Sequence, residues 1–200
     1  DKVSIIVRTC GRPEVLRGAL ESIRKQTYPD VETVVIEDGL EISRQMICTE
    51  YSDLQLRYIS TGKRVGRAKA GNLGMKVAQG KYLNFLDDDD VLYPEHIEIL
   101  LQTLQSAEEK AVYSVAEEAA AIYRKRKRTF YDVRKKVRFR EPFNRMYLLH
   151  TNYLPIQSVM FEKSLFEQYG GFRENVDYLE DWDLWVRYAA HTNFKMVNEI

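Results

Sequence analysis

Lys81-Tyr82-Leu83-Asn84-Phe85-Leu86-Asp87-Asp88-Asp89-Asp90 is an apolar run that ends in four adjacent carboxylates. Its apolar part, Tyr82 to Leu86, has the length and composition of a strand buried on both faces. Four carboxylates at the end of such a strand repel one another, so the fold has to compensate them. A divalent cation is the simplest compensation, and hard oxygen ligands suit Mg²⁺ or Mn²⁺. A cation held there can in turn hold phosphate. The competing reading is a solvated acidic turn ahead of a helix, because carboxylates also suit a helix N-terminus. In extended backbone Asp87 and Asp89 face one way and Asp88 and Asp90 the other. One pair can then reach a cation and a nucleotide while the other bonds into the turn.

Upstream, strand and helix alternate. Val3 to Val7 is a short β-branched run, and Pro13 opens a helix with Val15, Leu16, Ala19, Leu20 and Ile23 on one face. Val31 to Ile36 reads as the second strand, Glu41 to Tyr51 as a helix, and Leu54 to Ile59 as the third strand. A loop, Gly62 to Gly66, leads to a helix from Arg67 to Ala78 that Gly80 caps. Downstream, Pro94 opens a helix whose inner face is Ile97, Leu100, Leu101 and Leu104. This order predicts an α/β fold with a mostly parallel twisted sheet flanked by helices. Ligands of such sheets bind outside the carboxyl ends of the strands. Arg8-Thr9-Cys10-Gly11, Glu37-Asp38-Gly39 and Asp87 to Asp90 all follow strand ends, so they converge on one crevice.

The second half is mixed. A strand over 111–116, a basic stretch, a helical 142–150, a strand over 156–161, a turn at Gly170-Gly171-Phe172 and a helix over 179–190 follow one another. We read one domain, 1–200, with a nucleotide half (1–110) and a smaller mixed second-substrate half (111–200). The chain of 200 residues is 44% hydrophobic, enough for one full core, and its thirty basic residues balance thirty acidic ones. That balance excludes a polyanion binder held by overall charge, though not a local basic patch. Cys10 and Cys48 make neither a disulfide framework nor a metal-ligand spacing, so a reducing, cytoplasmic compartment is expected. No apolar run approaches the roughly 20 residues that span a bilayer. The chain starts directly at the first strand, which reads as a cytosolic start or a trimmed chain.

Other motifs are weaker alone. Asp38 can accept from a base N–H or a ribose hydroxyl, yet Asp-Gly turns are common. Lys63, Arg64, Arg67 and Lys69 can offset diphosphate charge or merely face water, and neither a GK[ST] loop nor GxGxxG occurs. Glu180-Asp181-Trp182-Asp183 is an ordinary acidic first turn of a helix, or a general base between two tryptophans. From Arg124 to Arg140 stand ten Lys/Arg against one acid, Asp132, interleaved with Tyr123, Phe130, Tyr131 and Phe139. Nucleic acid is not the expected partner of this stretch. A hairpin with a basic side toward solvent or an anionic acceptor, and peripheral association with the inner face of a membrane, stay open. His96, His150 and His191 have no ligand spacing.

Taken together these motifs resemble glycosyltransferase family 2, inverting enzymes of the GT-A fold. The likeness runs through Val3-Ser4-Ile5-Ile6-Val7-Arg8-Thr9 with Arg12-Pro13, Ser22 to Pro29, Glu32 to Asp38, Gly71-Asn72-Leu73-Gly74, Gly80 to Asp90, Gly170-Gly171-Phe172 and Glu180 to Arg187. It implies a metal-dependent transfer of a sugar from a nucleotide-diphosphate donor, a UDP-sugar, to a glycan or other acceptor hydroxyl. By that resemblance Thr9 lines the nucleotide pocket and Asp38 reads the uracil or equivalent base. Asp87-Asp88-Asp89 falls on the DxD-type motif, with Asp89 the metal ligand and Asp87 and Asp88 toward ribose and diphosphate. Arg67 is a looser match to a basic base- or phosphate-contacting residue, and Asp181 matches the catalytic base. Cys10-Gly11 departs from the family's aromatic-Asn pair. The chain also ends before the family's usual C-terminal segment, so the resemblance implies a longer protein. Two rivals from other classes remain at this point: a nucleotidyltransferase of similar sheet, and a non-catalytic module that holds an anionic polymer with 124–140.

Overall fold

The computed structural model describes residues 1–124, 129–176 and 178–199, and over 121–133 nothing beyond the backbone. Four strands, β1 (Val3–Thr9), β2 (Val31–Glu37), β3 (Leu56–Ser60) and β4 (Tyr82–Asp87), alternate with helices α1 (Pro13–Arg24), α2 (Arg44–Glu50) and α3 (Arg67–Val77), and α4 (His96–Ser106) follows. The second half adds β5 (Ala111–Ser114), β6 (Ala116–Arg124), β7 (Thr129–Phe139), α5 (Arg145–Leu148), β8 (Val159–Glu162), α6 (Lys163–Tyr169), α7 (Glu180–Ala189) and β9 (Phe194–Val197). One seven-stranded sheet runs β3-β2-β1-β4-β8-β5-β9. β8 pairs antiparallel with both β4 and β5, while every other pair in that sheet is parallel. Six strands therefore point the same way, and the carboxyl ends of β1, β2, β4 and β5 share one edge. β6 and β7 form a separate antiparallel hairpin that leaves this edge directly after β5.

Alternation of side chains divides the core between the two faces of the sheet. Ile6, Ile36, Phe85 and Phe161 pack with Met75 of α3 and with Leu184, Trp185 and Tyr188 of α7. Val7, Val35 and Leu86 pack with Leu16 and Leu20 of α1 and Leu100 and Leu101 of α4 on the other. A strand covered on both faces reads as an unbroken apolar run, which is why β1 and β4 stand out in the sequence.

Several boundaries differ from expectation. α3 ends at Val77 with Ala78 as its cap, so Gly80 is no C-cap. Gly80 instead lies against β1, where its N–H donates to Ser4 Oγ (2.8 Å) and a Cβ would meet the Ser4 nitrogen at 2.6 Å. The helix expected over 41–51 begins only at Arg44, because the Ser43 N–H and hydroxyl both donate to Glu37 (2.9 and 3.1 Å). The strand expected over 111–116 breaks at Val115, whose N–H donates to the Glu199 carbonyl (2.9 Å). Of the helix expected over 142–150, only Arg145–Leu148 forms, and a 3-10 turn, Ile156–Ser158, takes the first half of the strand expected over 156–161.

Candidate active site

The shared edge carries a chain of ion pairs centred on Arg8. This arginine is the sixth residue of β1 and is 6% exposed. Its Nε and Nη2 donate to the two oxygens of Asp87 (2.8 and 3.0 Å), and Nη1 donates to Glu180 Oε1 (2.8 Å). The Phe85 and Phe172 rings flank its guanidinium, each centroid 5.6 Å away. A planar fork suits this work: it takes one carboxylate bidentately and still reaches a second. Arg8 thus ties the end of β4 to the start of α7, two segments far apart in sequence.

Next to it, Thr9 Oγ1 donates to Asp88 (2.6 Å), and Arg12 donates to both Asp88 and Asp89, the latter at 3.3 Å. Asp88 is buried and Asp89 exposed. The alternation expected of Asp87 to Asp90 does not hold, because the strand stops at Asp87. A turn closed by the Asp90 N–H on the Asp87 carbonyl (3.0 Å) turns Asp88 and Asp89 toward the same arginine. Burial raises the Asp88 carboxyl against the opposing bonds from Thr9 and Arg12. Burial, followed by repulsion from the three neighbouring carboxylates, pushes Asp90 up to about 7.

Asp38 lies at the end of β2. Its oxygens accept from the backbone N–H of Val65 (2.6 Å) and Gly66 (3.0 Å), so it holds the loop that leads into α3. Glu37 beside it accepts from the Gly11 N–H (3.2 Å) and from Tyr58 and Ser43, fixing the β1–α1 turn. Arg67 opens α3, exposed, with Nε 3.8 Å from Glu180 Oε1. The second oxygen of Glu180 is buried without a partner among the described residues. Asp181 accepts from Asn152 Nδ2 (3.1 Å) and from the Trp182 N–H (2.8 Å). Burial raises its carboxyl, those two bonds oppose the shift, and the charge of Glu180 adds to it. A carboxylate so placed is held in one orientation and made more basic, as a proton acceptor requires.

The structure thus places Thr9, Asp38, Arg67, Asp87, Asp88, Asp89 and Asp181 on or beside one edge. Thr9 and Asp88 touch directly, Arg8 and Glu180 bridge Asp87 to Arg67, and Arg12 bridges Asp88 to Asp89. Asp38 and Asp181 each contact other partners. Sequence reading set Arg8 at the crevice and Glu180 in the acidic first turn, but it gave no role to Arg8, Arg12, Glu180 or Asn152. The signal for Arg8 was present, since a charge inside a seven-residue apolar strand demands a buried partner. Asn152 offers none; it sits in a loop twenty-nine residues before Asp181.

The donor set here is all oxygen, which fits a hard divalent cation. Among the described residues no three His, Cys, Asp or Glu side chains group into a protein-only cage. Asp89 is exposed and accepts from Arg12 (3.3 Å), which leaves oxygen lone pairs of its carboxylate facing solvent. A cavity of about 140 Å³ adjoins the run on the same edge, between Leu92, Tyr93 and His96 and the hairpin base at Glu117 and Lys135.

The profile of Glycosyl transferase family 2 matches residues 4–170. An uncharacterized glycosyltransferase of Bacillus subtilis, YwdF, is 31% identical over 98% of this chain and 71% of its own length. An uncharacterized glycosyltransferase of Rickettsia prowazekii, RP339, is 29% identical over 99% of this chain and 62% of its own length. Among solved structures, Staphylococcus aureus TarS 1-349 in complex with UDP-GlcNAc superposes with a TM-score of 0.78 at 20% identity, over 100% of this chain and 57% of that one. The mannosyltransferase PcManGT from Pyrobaculum calidifontis, in complex with GDP-Man and Mn²⁺, gives 0.73 at 18% identity, over 98% and 55%.

Proposed function

The chain belongs to glycosyl transferase family 2, and we propose that it moves a sugar from a nucleoside-diphosphate donor, a UDP-sugar, to an acceptor hydroxyl with inversion. One observation carries this reading: Arg8 joins the carboxylates at the end of β4 to the helix that bears Asp181. Donor-side and acceptor-side groups then stand at fixed spacing across one crevice. The UDP-GlcNAc bound to TarS and the GDP-Man with Mn²⁺ bound to PcManGT support the donor class and the cation.

In this proposal Thr9, Asp38 and Arg67 line the nucleoside side, and Asp87 and Asp88 face ribose and diphosphate. Asp89 would hold a Mg²⁺ or Mn²⁺ ion, which would supply positive charge to the leaving diphosphate. Asp181 takes the proton of the acceptor hydroxyl as that oxygen attacks the anomeric carbon from the face opposite the diphosphate. The bond from that carbon to the phosphate oxygen breaks and its electron pair departs with the diphosphate. A single displacement inverts the centre. Arg8, with its charge already divided between Asp87 and Glu180, is a positioning residue. The half from 111 to 200 faces the acceptor, a glycan or another hydroxyl compound.

The test is a panel of nucleotide-sugars offered with Mn²⁺ and with EDTA. Metal-dependent release of a nucleoside diphosphate from one of them is expected. Release of pyrophosphate from a nucleoside triphosphate and sugar phosphate instead would move the chain to nucleotidyl transfer.

A further inference from the structure

The charge of this chain is neutral in sum and sharply divided in space. The stretch 124–140 carries ten Lys/Arg against Asp132 alone, an excess of nine positive charges, so an equal negative excess falls on the rest. Most of the stretch lies in the hairpin β6–β7, which leaves the sheet at the edge that holds the candidate active site. The hairpin base is pinned to the loop after the aspartate run: Tyr93 donates to Glu117 (2.6 Å) and Lys135 donates to the Tyr93 hydroxyl (3.2 Å).

The two faces of its described part differ. Glu117 and Lys135 line the cavity, whereas Arg134, Lys136 and Arg138 border a separate depression together with Glu118, Ala119 and Ala120. In register, Ala120 opposes Arg134 and Glu118 opposes Lys136. Arg138 is paired with Glu118 (2.5 Å), but Arg134 and Lys136 are exposed and have no carboxylate partner among the described residues. Farther out, the register sets Ile122 opposite Tyr131 and Tyr123 opposite Phe130, next to Arg124.

We propose that this hairpin docks the protein on an anionic lipid bilayer. Clusters of Lys and Arg are drawn to the negative surface potential of such a membrane, and aromatic residues settle at its interface. The negative remainder of the molecule is repelled by the same surface, so binding is oriented with the hairpin down. A ring-free soluble polyanion such as polyphosphate would use the cations but has no use for the aromatic residues interleaved with them in the sequence. The pinned base then sets the crevice edge close to the bilayer.

Sedimentation of the whole chain with vesicles tests this. Vesicles of phosphatidylcholine containing phosphatidylglycerol should carry the chain down, vesicles of phosphatidylcholine alone should not, and added salt should release it. Arg134→Glu with Lys136→Glu should lower partitioning by more than about tenfold, given the weight of each cation at such a surface. UDP-induced thermal stabilisation should be unchanged in that variant, and Lys25→Glu, an exposed charge on the far end of α1, should bind vesicles like the wild type. Equal sedimentation with both vesicle types overturns the proposal, as does a double variant that still binds. Capture by soluble polyphosphate without binding to phosphatidylglycerol would assign the hairpin to a polymer instead.

Discussion

At the scale of single residues, the environment of Asp181 sets its chemistry. Burial raises its carboxyl and the Asn152 amide holds it partly back. If Asp181 is the base, Asp181→Asn should lower turnover by about 10²–10⁴-fold while UDP affinity by calorimetry stays near wild type. Equal loss of binding and turnover would count against the assignment. Asn152→Ala removes a bond that favours the charged form, so the Asp181 pKa should rise. The acid limb of the kcat/KM profile should then move to higher pH, whereas a purely structural asparagine would lower the whole profile without moving the limb. His96 offers a separate reading of pH. Its ring is buried, Nε2 has no partner among the described residues, and burial lowers its pKa to about 4 against the opposing pull of the Gln157 backbone. Because the folded value lies below the unfolded one, the unfolded chain binds the proton first as pH falls. The stability His96 contributes is therefore full above about pH 6.5 and is lost toward pH 4, with about 2 kcal/mol gone by pH 5. His96→Asn should remove that part of the slope in urea titrations compared at about pH 7.5 and 5; an unchanged slope would place the titration elsewhere.

At the scale of elements, close approach of helix to sheet is what fixes the edge. Gly74 of α3 faces Ile6 of β1 so closely that a Cβ would overlap the Ile6 side chain. Gly18 of α1 has open space around its missing Cβ. Gly74→Ala should therefore destabilise by about 1–3 kcal/mol through overpacking, whereas Gly18→Ala should stabilise by about 0.5–1 kcal/mol through helix propensity. Chemical denaturation separates the two, and equal effects would mean that α3 can move off β1. The same contrast shows why some elements were legible and others were not. β1 and β4 are covered on both faces and declare themselves as apolar runs. α2 lost its first turn to Glu37, a partner that local sequence cannot display. The seven-residue α6 and the four-residue β9, Phe194–Val197, escaped notice because they are too short to show a period and exist through tertiary contacts.

At the scale of the whole molecule, the order of strands and helices sufficed for the α/β architecture, because parallel strands force the carboxyl ends of β1, β2 and β4 onto one edge. Convergence of Thr9, Asp38 and the aspartate run follows from that topology alone. The pairing of Arg8 with Asp87 and Glu180 does not, since 172 residues separate Arg8 from Glu180 and only the packed fold brings them together. The architecture also sets what a ligand does to stability. A donor that binds the folded chain and not the unfolded one stabilises by mass action, about 2.7 kcal/mol at a hundredfold excess over Kd. For a chain of 200 residues this raises Tm by roughly 5–10 °C. With Mn²⁺ present, UDP should give a shift of that size. In EDTA the shift should shrink, because Arg8 and Arg12 are already paired with Asp87 and Asp88 and have little free charge to offer the diphosphate. Asp89→Ala should reduce the Mn²⁺ shift to the EDTA value and leave the EDTA value alone, since the exposed Asp89 supports no core contact. A wild-type shift identical in Mn²⁺ and EDTA would remove the cation from donor binding. A variant shift equal to wild type in Mn²⁺ would move the cation to a carboxylate other than Asp89.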